Sequence, residues 1–390
     1  MLSAKGLEKK VGIIGGGQLG KMMIQEAKKM GVYVTILDPV LHCPAHSLCD
    51  EHIVADFHDE EALYRLAEKS DVLTYEFEHI GVEVLKGLEA RGHVIYPCPQ
   101  SLGIIQNKYL QKKVLETEGL PVPAFIKIDN MEDLQKAGED FGYPFLLKAC
   151  TGGYDGKGNV LIKNQEEIQR AYGQLGGGEI PLMAEIFVPF EKEVSLLACR
   201  STRGEIALYP VGENFHEDNI LIETRVPADI SKEVSERALQ LGHRVMEVFA
   251  GVGMFCVEMF VTGWGEVYIN EVAPRPHNSG HYSIEGCVTS QFEQHMRAIL
   301  ELPLGETTLF RPTVMINLLG EEGHEGKAII QGLEEALKLP GVKVHIYGKK
   351  ETAPKRKMGH VTVTASGIEE AVSIAEEATK YLKIVAGEER

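Results

Sequence analysis

Apolar positions along the first hundred residues alternate between two periods. Val11-Gly-Ile-Ile14, Val32–Leu37 and Asp71–Tyr75 are short, almost continuously apolar runs, the pattern of parallel strands buried on both faces. Glu60–Glu68 and Val82–Ala90 repeat their apolar residues at helical spacing, and Val94–Tyr96 reads as a further strand. This alternation, to about residue 104, predicts a doubly wound parallel sheet. Ser101–Glu118 reads as one helical stretch, and Pro121-Val-Pro123 makes a stiff link. A smaller α/β unit follows: strand Ala124–Ile128, helix Met131–Phe141, strands Phe145–Ala149 and Asn159–Ile162, and helix Glu166–Tyr172, ending near Gly176-Gly-Gly178. Strands within Pro181–Pro189, Val194–Ala198, Ile206–Gly212 and Ile220–Arg225, helix Lys232–Phe249 and a hairpin at 253–272 form a larger unit. The remainder, with strands Val314–Leu318, Val342–Tyr347 and Gly359–Thr364 and helix Ile368–Leu382, reads as a small α/β cap.

Composition narrows the classes of function. The 390 residues are 44% apolar and 25% charged, which suits several soluble globular domains. No apolar run has the length of a membrane span, and the first ten residues lack a signal core, so neither a membrane nor a secretory route is expected. A net charge of −17 argues against nucleic acid as the main partner, so an anionic ligand needs locally gathered Lys and Arg. The seven cysteines are spread out without a C-x-x-C, which reads as reduced thiols and a cytoplasmic location. His42, Cys43, His46, Cys49 and His52 lack paired metal-ligand spacing and are expected to be loop residues without a metal.

Two glycine-rich stretches carry candidate chemistry. Gly15, Gly17 and Gly20, with Asp38 further on, make a dinucleotide fingerprint. The same residues nearly spell a P-loop through Lys21, but Met22 stands where a hydroxyl should hold magnesium, so neither motif decides. Glu76-Phe-Glu78 follows the third strand's carboxyl end, where open sheets bind ligands; a hydroxyl-binding carboxylate and a solvated loop acid are both open readings. The second stretch runs from Leu146 to Asn159. Lys148 and Lys157 bracket a loop with four glycines between Gly152 and Gly158, whose amides can approach a polyphosphate; the alternative is a flexible surface hairpin. Beyond it, the apolar strand at 181–189 offers either an adenine wall or ordinary core, and Glu193 suits ribose hydroxyls.

The hairpin holds a carboxylate pair. If Thr262 faces Val267, then Phe260 faces Ile269 and Glu258 faces Glu271. Opposed carboxylates repel unless a hard cation lies between them, with Asn270 adjoining as a neutral ligand. Ala273-Pro-Arg-Pro-His-Asn-Ser-Gly-His281 then presents an arginine and two histidines on a stiffened loop, where a second substrate is expected. No nucleophile elbow and no thiol with a marked partner appears.

These pieces resemble the ATP-grasp superfamily and, within it, the biotin-independent carboxylases of bacterial purine synthesis. The matching motifs are Gly15-Gly-Gly-Gln-Leu-Gly20, Tyr75-Glu-Phe-Glu78, Gly152-Gly-Tyr-Asp-Gly-Lys-Gly158, Asn270-Glu-Val-Ala-Pro-Arg-Pro-His-Asn-Ser-Gly-His281 and Lys357-Met-Gly-His360. The resemblance implies an α/β ATP-grasp fold. A Rossmann-like substrate-binding domain would span 1–104 and the ATP-grasp domain 105–303, with a lid at about 120–180 and a larger unit at about 181–303; the C-terminal cap would span 304–390. It implies ATP and magnesium, with carboxylation of aminoimidazole ribonucleotide by bicarbonate through carboxyphosphate, and a homodimer.

Carried over by position, Lys108, Lys148, Gly153, Tyr154, Asp155, Gly156, Lys157, Gly158 and Asn159 would hold the ATP phosphates. Glu185, Ile186, Phe187 and Val188 would line adenine, while Glu193, His216 and Asn270 would complete the nucleotide site, with Glu258 and Glu271 on magnesium. Gln18, Leu19, Glu76, Tyr154, Asp155, Arg275, Asn278 and Ser279 would face the ribonucleotide, and Lys349 and Arg356 would grip its phosphate. Lys148, Asp155 and Arg275 would act in catalysis, Asp155 on the amine proton. The chain departs from the family pattern twice: Asn107-Lys108 replaces Asp-Arg, and Ala353-Pro-Lys-Arg-Lys357 replaces Arg-Pro-Gly-Arg-Lys. Three rivals remain open: a sister enzyme formylating glycinamide ribonucleotide with formate, an NAD-dependent oxidoreductase, and a nucleotide sensor without catalysis.

Overall fold

The computed structural model describes residues 8–152 and 158–387. Its first sheet is parallel, in the order Glu51–Ile53, Tyr33–Leu37, Lys10–Ile14, Val72–Tyr75. The apolar runs of the sequence are its strands, buried by helices that include Gln18–Lys29 and Glu60–Glu68. Val94–Tyr96 is not a full strand: it meets the sheet only through a parallel bridge from Ile95 to Leu73.

The expected helix at 101–118 is two, Pro99–Ile105 and Lys108–Thr117. The break falls at Asn107, whose extended backbone lets its side chain accept from the amide of Leu110, so a capping residue restarts the helix in a new direction. The small unit is a four-stranded antiparallel sheet in the order Phe125–Ile128, Leu182–Ile186, Phe145–Ala149, Asn159–Ile162.

The largest sheet runs Val267–Ala273, Gly253–Thr262, Phe190–Arg200, Gly212–Glu217, Ile220–Val226, Thr313–Leu319, Lys357–Thr364, Val342–Ile346, with Ile206–Leu208 beside Phe190–Arg200. Its last three strands come from the segment read as a cap; they extend the central sheet through the antiparallel pairing of Val226 with Thr313. Ile206–Gly212 is split, and Gly212–Glu217 is a strand that periodicity missed because Glu213 and Asn214 are buried polar residues.

Helix Lys232–Phe249 starts at Ser231, which caps Val234, and lays Val234, Ala238, Leu241, Val245, Met246 and Phe249 on the sheet. Gly242 permits the close approach, since a Cβ there would stand 2.1 Å from Leu196. His295 pins the first domain to this core. Its Nε2 lies 2.8 Å from Thr74 Oγ1, and its Nδ1 accepts from the Met254 amide at 3.1 Å.

Candidate active site

The site begins at the hairpin. Thr262 and Glu266 close a three-residue loop with Gly265 at φ +86, so the ladder starts one residue earlier than the sequence suggests: Val261 faces Val267, Phe260 faces Tyr268 and Met259 faces Ile269. A bulge at Asn270 then absorbs one residue, and Glu258 faces Glu271 after all. The two carboxyls are not equivalent. Burial, and then Glu271, push the Glu258 carboxyl up to about 7. Burial acts on Glu271 too, but Lys108, 2.5 Å away, outweighs it and holds that carboxyl below its ordinary range. Such opposed acids suit a hard divalent cation that takes its remaining ligands from water and phosphate. Among the described residues, no three His, Cys, Asp or Glu side chains converge into a larger metal set.

Helix Lys108–Thr117 reads the edge strand residue by residue. Lys108 pairs with Glu271; Gln111 exchanges two hydrogen bonds with the backbone of Val272, at 2.9 and 3.0 Å; and Lys112 donates to the Asn270 carbonyl at 2.9 Å. These positions, i, i+3 and i+4, share one helix face. Lys112 also reaches Glu185 Oε2 at 2.7 Å, while Lys148 holds Oε1 at 2.5 Å. Sequence reasoning missed Gln111 and Lys112. It placed Glu185 on adenine, but the Glu185 side chain is buried against these two lysines and its backbone is paired with Phe125 and Leu146. Ile186, Phe187 and Val188, at the end of that strand, stay available as an apolar wall.

Across the sheet, His216 and Glu193 meet at 3.0 Å. Burial pulls the His216 imidazole down, but Glu193 and Glu258 leave it above its ordinary value. Asn159 faces Lys148 across the small hairpin, and Gly158 bonds back to the Ala149 amide. Gly153, Tyr154, Asp155, Gly156 and Lys157 lie outside the described residues.

On the first domain, the dinucleotide fingerprint is already satisfied. The Glu76 carboxylate accepts from the amides of Gly17 and, at 2.7 Å, Gly20, while Asp38 accepts from Gly16 at 2.8 Å. The amides that would take a pyrophosphate therefore hold the chain's own acids, which removes the support for the NAD reading. A Cβ at Gly15 would strike Glu76 at 2.4 Å, so this glycine, at φ +104, serves the carboxylate. Gln18 opens the adjoining helix, and Leu19 is buried.

Arg275 turns toward this domain and pairs with Glu78 at 2.7 Å. Two other residues of its loop have partners within the protein. The Ser279 side chain is wholly buried and spent on His277 at 2.9 Å, and the Asn278 amide is locked in a reciprocal pair with Asn317, at 2.9 and 2.7 Å. Lys349 is close enough for its charge to act on Glu76, while Arg356 is exposed and donates to the Glu351 carbonyl at 2.8 Å. Lys357 is the better-placed cation, since its charge acts on His216 and His277. The Lys357-Met-Gly-His360 motif was the signal that could have found it.

Three family models match in succession: the ribonucleotide synthetase preATP-grasp domain over residues 8–106, the ATP-grasp domain over 113–292 and the phosphoribosylaminoimidazole carboxylase C-terminal domain over 313–373. The N5-carboxyaminoimidazole ribonucleotide synthase of Bacillus subtilis is 43% identical over 353 residues, 90% of each chain. The chain belongs to the N5-carboxyaminoimidazole ribonucleotide synthase family. A crystal structure of the Thermotoga maritima N5-carboxyaminoimidazole ribonucleotide synthetase superposes with a TM-score of 0.89 at 48% identity, covering 97% of this chain and all of that one. The Aspergillus clavatus synthase, solved with ADP and 5-aminoimidazole ribonucleotide, gives 0.87 at 34% identity over 95% and 98%. The chain spans only 64% of the yeast phosphoribosylaminoimidazole carboxylase, to which it is 40% identical. Both departures from the family pattern have a local reading. Asn107 caps its helix as an aspartate would. Lys355, where the pattern has glycine, keeps a left-handed φ of +63 and pairs with Asp218 at 2.7 Å.

Proposed function

We propose that the protein carboxylates 5-aminoimidazole ribonucleotide with bicarbonate, using ATP and forming N5-carboxyaminoimidazole ribonucleotide, ADP and phosphate. The observation that carries this reading is the junction at Glu271. There the opposed carboxylates meet three lysines on one side, and the Arg275 loop leads to Glu76 and Glu78 on the other. Glu193 and His216 take the nucleotide's ribose end, and Ile186 to Val188 flank its base. Lys108 and Lys148 draw the phosphates over the hairpin, and Asn270, beside Glu271, adds a polar ligand. Glu258 and Glu271 would hold magnesium, which would neutralise phosphate charge.

Bicarbonate then attacks the γ-phosphate. Lys148 stabilises the oxygens that gain charge, and the product is carboxyphosphate. Arg275, oriented by Glu78, holds the ribonucleotide so that its exocyclic amine meets the carboxyl carbon, and Glu76 accepts from a ribose hydroxyl. Gln18 and Leu19, at the helix start beside Glu76, flank the ribonucleotide. Lys349, with Lys357 in place of Arg356, meets its phosphate. We assign the Gly153–Lys157 loop to the phosphates and Asp155 to the amine proton on sequence position alone. The same reading takes 1–104, 105–303 and 304–390 as its domains and includes a homodimer in the cytoplasm, which sedimentation and cell fractionation would test. No described helix is long and apolar enough to cross a membrane.

The deciding measurement is ADP release from Mg-ATP with the ribonucleotide and bicarbonate supplied separately and together. Release that requires the ribonucleotide, with a bicarbonate-dependent acid-labile product, is the expected result. Turnover on formate and glycinamide ribonucleotide instead would transfer the protein to the sister activity, and silence with both would leave a nucleotide-binding fold without this chemistry.

A further inference from the structure

Glu185 and its two lysines present a charge count that a structural ion pair does not need. Glu185 is 1% exposed and Lys112 2%. One buried carboxylate is balanced by one ammonium, and the second ammonium is left to the longer-range field of Glu271, which already has Lys108 as its direct partner. Each carboxylate oxygen has its own lysine, at 2.5 Å for Lys148 and 2.7 Å for Lys112. A Lys148–Glu185 pair alone would be neutral, and its field toward a bound anion would be largely cancelled. Lys112 also spans two units, because Glu185 lies on a strand of the small sheet and Asn270, its other acceptor, sits at the bulge that brings Glu271 opposite Glu258.

We propose that Lys112 is a positioning residue for phosphoryl transfer. By pairing with the second oxygen of Glu185 it offsets that carboxylate's charge, so that Lys148 presents its own charge to the nucleotide phosphates. By holding the Asn270 carbonyl it ties this lysine to the strand that carries Glu271. Burial lowers the Lys112 ammonium to about 8 against the opposing pull of Glu185. The carboxyl of Glu185 feels burial first, but the two lysines outweigh it and keep it ionised.

The inference rests on Lys148 facing the phosphates, and the test separates the two claims. ATP affinity is measured by calorimetry on the full chain for Lys148→Met, Lys112→Met, Lys112→Arg and the double variant Lys112→Met/Glu185→Gln, each checked for folding by circular dichroism. Lys148→Met should weaken ATP at least tenfold; wild-type affinity there would overturn the phosphate reading itself. With that established, Lys112→Met should cost about tenfold and Lys112→Arg less than threefold. The double variant, which leaves Lys148 as a lone cation, should bind ATP more tightly than Lys112→Met. A purely architectural lysine gives the opposite order, with the double variant weaker than Lys112→Met, and that order would overturn the proposal. Should Lys112→Met not fold, Lys112→Gln with and without Glu185→Gln is read in the same way.

Discussion

Glu258 and Glu271 face each other, yet Lys108 touches only one of them. The asymmetry makes Glu271 the permanent anion and Glu258 the acid whose charge depends on what lies between them. Glu271→Gln should therefore lower kcat/KM by about a hundredfold or more and raise the magnesium concentration needed for half-maximal rate; full activity with ordinary magnesium dependence would remove the metal assignment. His295 gives a second test at this scale. Its Nδ1 accepts from the Met254 amide, so the proton sits on Nε2, toward Thr74, and burial takes the imidazole down to about 3. A folded value below the unfolded one means stability that is whole above about pH 6.5 and is lost as pH falls toward 3, up to roughly tenfold in the folding constant per unit. Urea midpoints measured between pH 7 and 4 should fall in the parent and fall less steeply in His295→Gln. The facing pair was legible in the sequence, but neither its asymmetry nor the His295 contacts were. Lys108, Lys112 and Lys113 look alike in the sequence, and only the position of Glu185 in the folded chain decides which is buried.

Sheet edges need covering, and helix Lys108–Thr117 covers this one with a side chain acting as a strand. Gln111 supplies both the donor and the acceptor that a neighbouring backbone would give Val272. Gln111→Leu should destabilise the fold by about 1–3 kcal/mol, seen as a lower urea midpoint, because it leaves a buried amide and carbonyl unpaired. The hairpin behind it shows how far pattern reading reaches. The two strands and the facing pair Glu258/Glu271 were legible because β alternation and the Gly263-Trp-Gly265 turn are local signals. The loop length was misjudged by one residue and the bulge at Asn270 corrected it, so the right pairing was reached through the wrong register. The carbonyl of Asn270, at the bulge, accepts from Lys112 of a separate helix, and no local pattern encodes such a partner.

Over the whole molecule, the N-terminal domain meets the C-terminal segment through Lys21, whose ammonium donates to the carbonyls of Ile346 and Tyr347 at 3.0 and 2.9 Å. That contact lies two residues before Lys349, whose charge acts on Glu76. Lys21→Met should raise KM for the ribonucleotide roughly tenfold while leaving KM for ATP nearly unchanged, a split that steady-state kinetics resolves and that a general loss of folding would not produce. The alternating elements of the first domain were readable in the sequence, but the joining of residues 313–364 to the central sheet was not, because strand pairing across long separations leaves no periodic trace. That continuity has a consequence for synthesis. As the chain leaves a ribosome, Ile220–Val226 has one neighbour and one bare edge until Thr313–Leu319 has been made. A chain stopped after the hairpin would carry that edge permanently, open to pairing with its own copies.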